Sequence, residues 1–209
     1  TLNAIDVMVK AHIQHPEASL ITSQVIACDT ELQPMTPPWV QYKPLPEGKS
    51  ILEHPTVGAF ASFKAFSYHQ TEGFNPHLKR AVDLDIYVKL EEVGQVVVLE
   101  DELYLYRQNI HGISQGHNGT LAKALAYQVL IEAYFRRKAT PLNPNLSRNQ
   151  ARKMRIRQHQ IDIAQPSHNL ASWQSLFAAC KAFPELLFHP TMWRNSISAL
   201  IRNKRNLSR

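Results

Sequence analysis

Cysteine is scarce in this chain of 209 residues: only Cys28 and Cys180, far apart and in no metal-like spacing. That excludes a disulfide scaffold and a cysteine zinc site, and it reads as two free thiols in a reducing compartment, the cytosol. Long apolar runs are missing too. None approaches the roughly 18 residues of a spanning helix, and no charged-then-apolar leader opens the chain, so neither a membrane span nor a signal peptide is expected. There is no G-x-G-x-x-G, no G-K-[ST] phosphate loop, no helix-turn-helix or zinc pattern and no internal repeat. The initiator Met is absent as well, and Thr1 lies inside a helical pattern, which reads as a piece of a longer protein.

What is present is enough apolar material, 44%, for one sizeable core or a core with a small appendage. Acidic residues are almost confined to the first part. Residues 1–135 carry nine Lys and Arg against 15 Asp and Glu, whereas residues 136–209 carry 14 against two, so nets of −6 and +12 lie behind the overall +6. This shift coincides with TPLNPNLS, Thr140 to Ser147, whose prolines and asparagines stop a helix. The expected division is a body over 1–138, a linker over 139–147 and a basic helical appendage over 148–209.

Within the body, strand-like and helix-like periods alternate. Ile5, Met8, Val9, His12 and Ile13 recur at helical spacing, and the β-branched run Ser19 to Cys28 reads as a buried strand. Five prolines between Pro34 and Pro46 leave Asp29 to His54 without a regular period, the signature of a long functional or mobile loop. Val57, Ala59, Ala61 and Phe63 alternate as a strand, Lys64 to Gln70 makes a short helical turn, and a helix runs from about Asp83. QVVVLE and LYLYR, within Gln95 to Arg107, read as two extended pieces, and Leu121 to Arg137 as a further helix. Alternation of this kind favours a layered α/β sheet. The appendage differs: Arg148 to Ala164, Ser167 to Phe183 and Thr191 to Asn203 all read as helices.

Two aspartates, Asp83 and Asp85, interrupt the apolar pattern of the helix after Arg80. Residues two apart on a helix point about 200° from one another, so the two cannot form a carboxylate pair on one ligand. Asp85 precedes Lys89 by four residues, the favourable order for a solvated surface pair. Asp83 stands in the first turn, where an acid complements the helix dipole. On spacing alone, either role is ordinary for a surface helix.

The order of motifs around Asp83 carries more. Y-x-x-T-E-G-F at Tyr68 to Phe74, then R-A-V-D-L-D-I-Y-V-K-L-E-E-V-G at Arg80 to Gly94, then L-Y-L-Y-R-Q-N-I-H-G-I-S at Leu103 to Ser114, resembles the second half of bacterial family 2 glycosyltransferases. The resemblance covers about residues 1–138. It implies the acceptor-side half of a GT-A nucleotide-sandwich α/β domain, in an enzyme that moves a sugar from a nucleotide donor to an acceptor hydroxyl with inversion. Asp83 would be the general base, since a carboxylate with a reference pKa near 3.9 is ionised at neutral pH and can take the hydroxyl proton. Thr71, Glu72, Gly73, Phe74, Asp85 and Arg107 would contact the acceptor. The family turn often reads Gly-Gly-Phe, with Glu72 here in place of the first glycine, and Asn109 stands where many relatives have His. Neither His111 nor His117 is taken as a metal ligand.

The resemblance also implies what lies elsewhere. The donor-binding strands and the D-x-D that holds Mg²⁺ or Mn²⁺ would precede Thr1, so the metal belongs to the longer enzyme and this portion alone is expected to be inactive. Partners would be a nucleotide sugar, a glycan or lipid-linked acceptor and, through the basic tail, an anionic membrane on the cytoplasmic side. The tail offers Phe177, Phe183, Leu186, Leu187, Phe188, Met192 and Trp193 beside Arg194, Arg202, Lys204 and Arg205, the composition of an interfacial segment unless these groups pack back onto the body. FRRK, RKMRIR and IRNKR admit a second reading, a nucleic-acid-binding or protein-docking module. Against nucleic acid, the aromatics are not interleaved with the basic residues as a stacking platform requires.

Overall fold

The structure, a computed structural model, describes residues 1–35, 42–54, 56–109, 119–138 and 148–164, and beyond them 176, 177, 179–181, 183–188, 190, 193 and 194. The strands are β1 (Ala18–Cys28), β2 (Ala61–Phe63) and β3 (Gln95–Arg107). The helices are α1 (Ala4–Gln14), α2 (Ala65–His69), α3 (Val82–Glu91), α4 (Gly119–Lys138) and α5 (Arg148–Ala164), with a 3-10 turn at Pro184–Phe188. The class is mixed α/β. One sheet of order β2-β1-β3 has β1 parallel to β3 and antiparallel to β2.

The β-branched run of β1 is its centre because both of its faces are covered. Successive residues of a strand point to opposite faces. Leu20 accordingly packs with Ile86 and Leu90 of α3, while Ile21 packs with Ala4, Met8 and Ala11 of α1. The result is helix, sheet and helix in three layers, with α4 and then α5 stacked outside α3. Leu20, Ile21, Ile86 and Leu90 are all at most 1% exposed. Truncating any of them to Ala should cost about 2–5 kcal/mol.

Two expectations need correction. The alternating run from Val57 yields strand only at Ala61–Phe63. Before it, the Thr22 hydroxyl stands in for the ladder, donating to Phe60 O at 3.0 Å and accepting Gly58 N–H at 3.0 Å. QVVVLE and LYLYR are one 13-residue strand, not two pieces. Its register against β1 slips between Thr22, opposite Val98, and Val25, opposite Tyr104, and the Gln24 amide donates to Leu99 O at 3.0 Å inside the slip. The helix expected from Ile5, Met8, Val9, His12 and Ile13 is present as α1, which buries Ala4, Met8 and Ala11 and leaves Ile5, Val9 and Ile13 67%, 53% and 74% exposed. Small Ala side chains let the helix lie close to the sheet, and the bulky residues are turned outward.

The appendage shares the body's core where it is described. Ala151, Leu176, Ala179, Cys180, Phe183 and Leu186 cluster with Ile51, Leu52, Val88, Val129, Ala133 and Tyr134. α5 occupies the span expected of it, and both cysteines are free and buried. The linker, the histidines at 111 and 117, and most of the helices expected over Ser167 to Phe183 and Thr191 to Asn203 lie outside the described residues. Among the described residues, no helix is long and apolar enough to cross a membrane.

A buried cation fastens these layers. Arg137, 6% exposed, donates to Ser50 Oγ and Val88 O at 2.7 Å each and pairs with Glu91 at 2.8 Å and Glu92 at 3.0 Å. Glu91 in turn accepts Ile51 N–H at 2.8 Å and the Ser50 hydroxyl at 2.7 Å. Charge-assisted bonds of this kind tie the 50–52 segment to α3 and α4.

Candidate functional site

α3 begins at a strained residue. Ala81 has φ 56° and ψ 26°, a left-handed conformation that costs a residue with a Cβ about 1–2 kcal/mol. The turn lets the chain reverse into Val82 with no side-chain cap, and Asp83 Oδ1 accepts Leu84 N–H at 2.9 Å, satisfying one otherwise orphan donor of the first turn. The Asp83 carboxylate is exposed and lines a cavity of about 260 Å³. Among the described residues, the remaining wall is Ala81, Leu84, Gly119, Ala122, Lys123 and Ala126. The Asp83 carboxylate and the Lys123 ammonium thus share a space otherwise bordered, among the described residues, by apolar groups.

One turn further along α3, the Tyr87 phenol is pushed up to about 12, chiefly by burial and then by the negative charge of Asp83 and by Tyr42. Tyr87 therefore remains a neutral hydroxyl at any physiological pH. Burial and Tyr106 likewise push the Tyr42 phenol up. Asp83, Tyr87, Tyr42 and Tyr106 form a run of groups that feel one another from α3 to the end of β3. Tyr42 is held firmly: the Gln24 amide donates to its carbonyl at 2.6 Å and accepts its N–H at 2.8 Å. Its ring lies against Gly58, where a Cβ would come within 2.5 Å of the Tyr42 Cε2 atom.

Asp85 is not where the spacing expectation placed it. It is 5% exposed, Lys89 is 6% exposed, and Lys89 Nζ lies 2.7 Å from Asp85 Oδ2. The pair is an internal ion pair, not a solvated one, because Lys89 also donates to Gly73 O at 3.0 Å and the turn covers it. Expected also as an acceptor contact, Asp85 presents almost no surface to a ligand. Its side chain is on the other flank of α3 from Asp83, as the 200° rule requires.

The Thr71–Phe74 turn is folded around Tyr68. Thr71 Oγ1 donates to Tyr68 O at 2.7 Å and accepts Gly73 N–H at 3.0 Å. Gly73 has φ +69°, and a Cβ there would meet the Tyr68 hydroxyl at 2.8 Å, so only glycine fits. The space beside this glycine is thus occupied by Tyr68. Phe74 is 46% exposed, its ring 5.7 Å from that of Tyr68 and 6.5 Å from that of Phe63. Glu72 is exposed, and its charge adds to that of Glu92 around Arg136. Arg107 is exposed at the end of β3, opposite Cys28.

The structure therefore brings the Thr71–Phe74 turn to Asp85 and Lys89, and sets Asp83 against α4. Lys123 shares the Asp83 cavity, Tyr87 stands one helical turn from Asp83 and Tyr42 influences Tyr87; these were missed in the sequence. Tyr87 was findable, one helical turn from Asp83; Tyr42 sits in the aperiodic proline-rich loop and Lys123 on a separate helix. A second cavity, of about 460 Å³, lies beside Glu91, Glu92 and Arg137, whose charges are engaged with one another. Among the described residues, no group of three or more His, Cys, Asp or Glu comes together as a metal site. The chain matches no known family profile and no curated protein.

Proposed function

We propose that this chain is the acceptor-side portion of an inverting family 2 glycosyltransferase of GT-A fold, with Asp83 as its general base. The observation that carries the reading is the divergence of the two aspartates. Asp83 is exposed at the mouth of a cavity, while Asp85 is closed into an ion pair. Only one carboxylate of the D-L-D motif is free to meet an acceptor, and it is the one at the base position of the motifs that the chain resembles.

In this reaction Asp83 takes the proton of the acceptor hydroxyl as its oxygen bonds to the anomeric carbon. The bond to the nucleoside diphosphate breaks, and the diphosphate leaves with the electron pair, inverting the centre. Lys123 offers an ammonium and Tyr87 a neutral hydroxyl near Asp83 to orient the acceptor. A divalent cation, Mg²⁺ or Mn²⁺, would supply charge neutralisation of the leaving diphosphate, held by residues other than the described ones of this chain.

The basic tail is the proposed contact with an anionic membrane on the cytoplasmic face, where a lipid-linked acceptor would be met. Phe183 and Leu186 pack into the core, but Phe177, Leu187 and Phe188 are 64%, 49% and 87% exposed, with Lys181 and Arg194 also exposed. The test of the function is transfer from uridine, guanosine and thymidine diphosphate sugars, with Mn²⁺, to glycan and lipid-linked acceptors by the enzyme containing this chain. Product of inverted anomeric configuration is expected. Retained configuration, or no transfer from any donor, contradicts the proposal.

A further inference from the structure

α1 carries apolar side chains on two faces. Ala4, Met8 and Ala11 are buried against the sheet, whereas Ile5, Val9 and Ile13 project outward, with Leu2 just before the helix fully exposed. At about 100° per residue, Val9 and Ile13 lie roughly 40° and 80° around the helix from Ile5, and the buried residues are turned roughly 140° away from that stripe. It is a continuous apolar strip on the solvent side, and strips of this kind mark contact surfaces. Asp6 and Lys10, both exposed, follow Ile5 and Val9 by one residue each and so border the strip along the same edge.

The edge charges select the occupant. We propose that the outer face of α1 is a self-association surface on which a second copy of this chain packs its own α1, antiparallel, about a two-fold axis. A two-fold axis perpendicular to the helices brings the same edge of both copies together, and with the axis level with residue 8 it sets Asp6 of each copy beside Lys10 of the other. At about 1.5 Å rise per residue, the same placement brings the two Val9 side chains together at the centre and seats Ile5 between Val9 and Ile13 of the other copy. Charge and apolar registers therefore agree on one self-complementary arrangement, the property an isologous interface requires. A parallel pair would instead oppose unlike edges, so Asp6 and Lys10 would meet no opposite charge across it. A single helix face is a small patch, so association is of the weak class, visible at micromolar concentrations.

The test is analytical ultracentrifugation of the chain across the micromolar range at low salt, with Val9→Glu, Asp6→Lys, Lys10→Asp and an equimolar mixture of the two charge variants. Thermal melts accompany each variant; these positions are exposed, so the melts should match the wild type. The wild-type mass is expected to rise with concentration from 23.8 kDa toward twice that value. Val9→Glu should remain monomeric, and each single charge reversal should weaken association several-fold. The mixture should recover wild-type association, because an edge that is basic at both positions then faces an edge that is acidic at both. A wild type that stays monomeric, association that survives Val9→Glu, or a mixture no better than its components would overturn the proposal.

Discussion

Lys89 Nζ lies 2.7 Å from Asp85 Oδ2 and 3.0 Å from Gly73 O, all but closed off from solvent. One ammonium thus joins the helix that carries Asp83 to the turn at Thr71–Phe74. Removing one member of a buried pair leaves the other charge uncompensated, which costs about 3–5 kcal/mol. Asp85→Ala and Lys89→Ala should each lower stability by that amount in urea or thermal unfolding. The double replacement Asp85→Leu with Lys89→Met should be much milder. A surface pair would instead give a loss of less than about 1 kcal/mol for each single variant.

Ala81 is expected to be a position where the backbone, not the side chain, limits stability. Its φ of 56° favours glycine. Ala81→Gly should gain about 1 kcal/mol after glycine's greater flexibility in the unfolded chain is offset, equivalent to about 2–4 °C in Tm. Differential scanning calorimetry decides it. A lower Tm would mean that this turn stores no strain.

His12 should make stability depend on mildly acidic pH. Burial, then the neighbouring Lys64 charge, hold its imidazole below the ordinary 6.5, against an opposing hydrogen bond that the ring donates to the Ser62 backbone. The unfolded chain therefore binds the proton first as pH falls. Stability from this group is fully present above about 6.5 and declines as pH falls through 6.5 toward the lower folded value. Tm measured from pH 8 to 5 should fall more for the wild type than for His12→Gln. Identical slopes would remove His12 from the account.

The span of α5 and the separation of Asp83 from Asp85 were legible because they depend on local rules: prolines and asparagines before a helix, and about 200° between residues two apart. Residues distant in sequence decide the rest. An i, i+4 acid and base look the same whether water or a turn covers them, and it is Gly73, sixteen residues before Lys89, that makes Asp85 internal. The helical period of α1 was legible, but not the face it buries, because close packing on the sheet favours Ala4 and Ala11 over the bulkier Ile5, Val9 and Ile13. β3 looked like two strands because the slip opposite Gln24 places polar residues, Glu100 to Glu102, in mid-strand. Tyr42 had no period to betray it. Gln24 and Gly58 fix its position from two other parts of the chain.

The central claim is that Asp83, and not Asp85, takes the acceptor proton. The most direct measurement is kcat for sugar transfer at saturating donor by the enzyme containing this chain, as wild type and as Asp83→Asn, each with a thermal melt. Asp83→Asn keeps size and most hydrogen bonding but cannot accept the proton, so kcat should fall by roughly 10²–10⁴-fold. Its Tm should shift only by the loss of a helix-dipole interaction worth about 0.3–1 kcal/mol. Near-normal turnover in Asp83→Asn, or a loss of activity that merely tracks unfolding, would contradict the account and leave Asp83 as an acid that begins a helix.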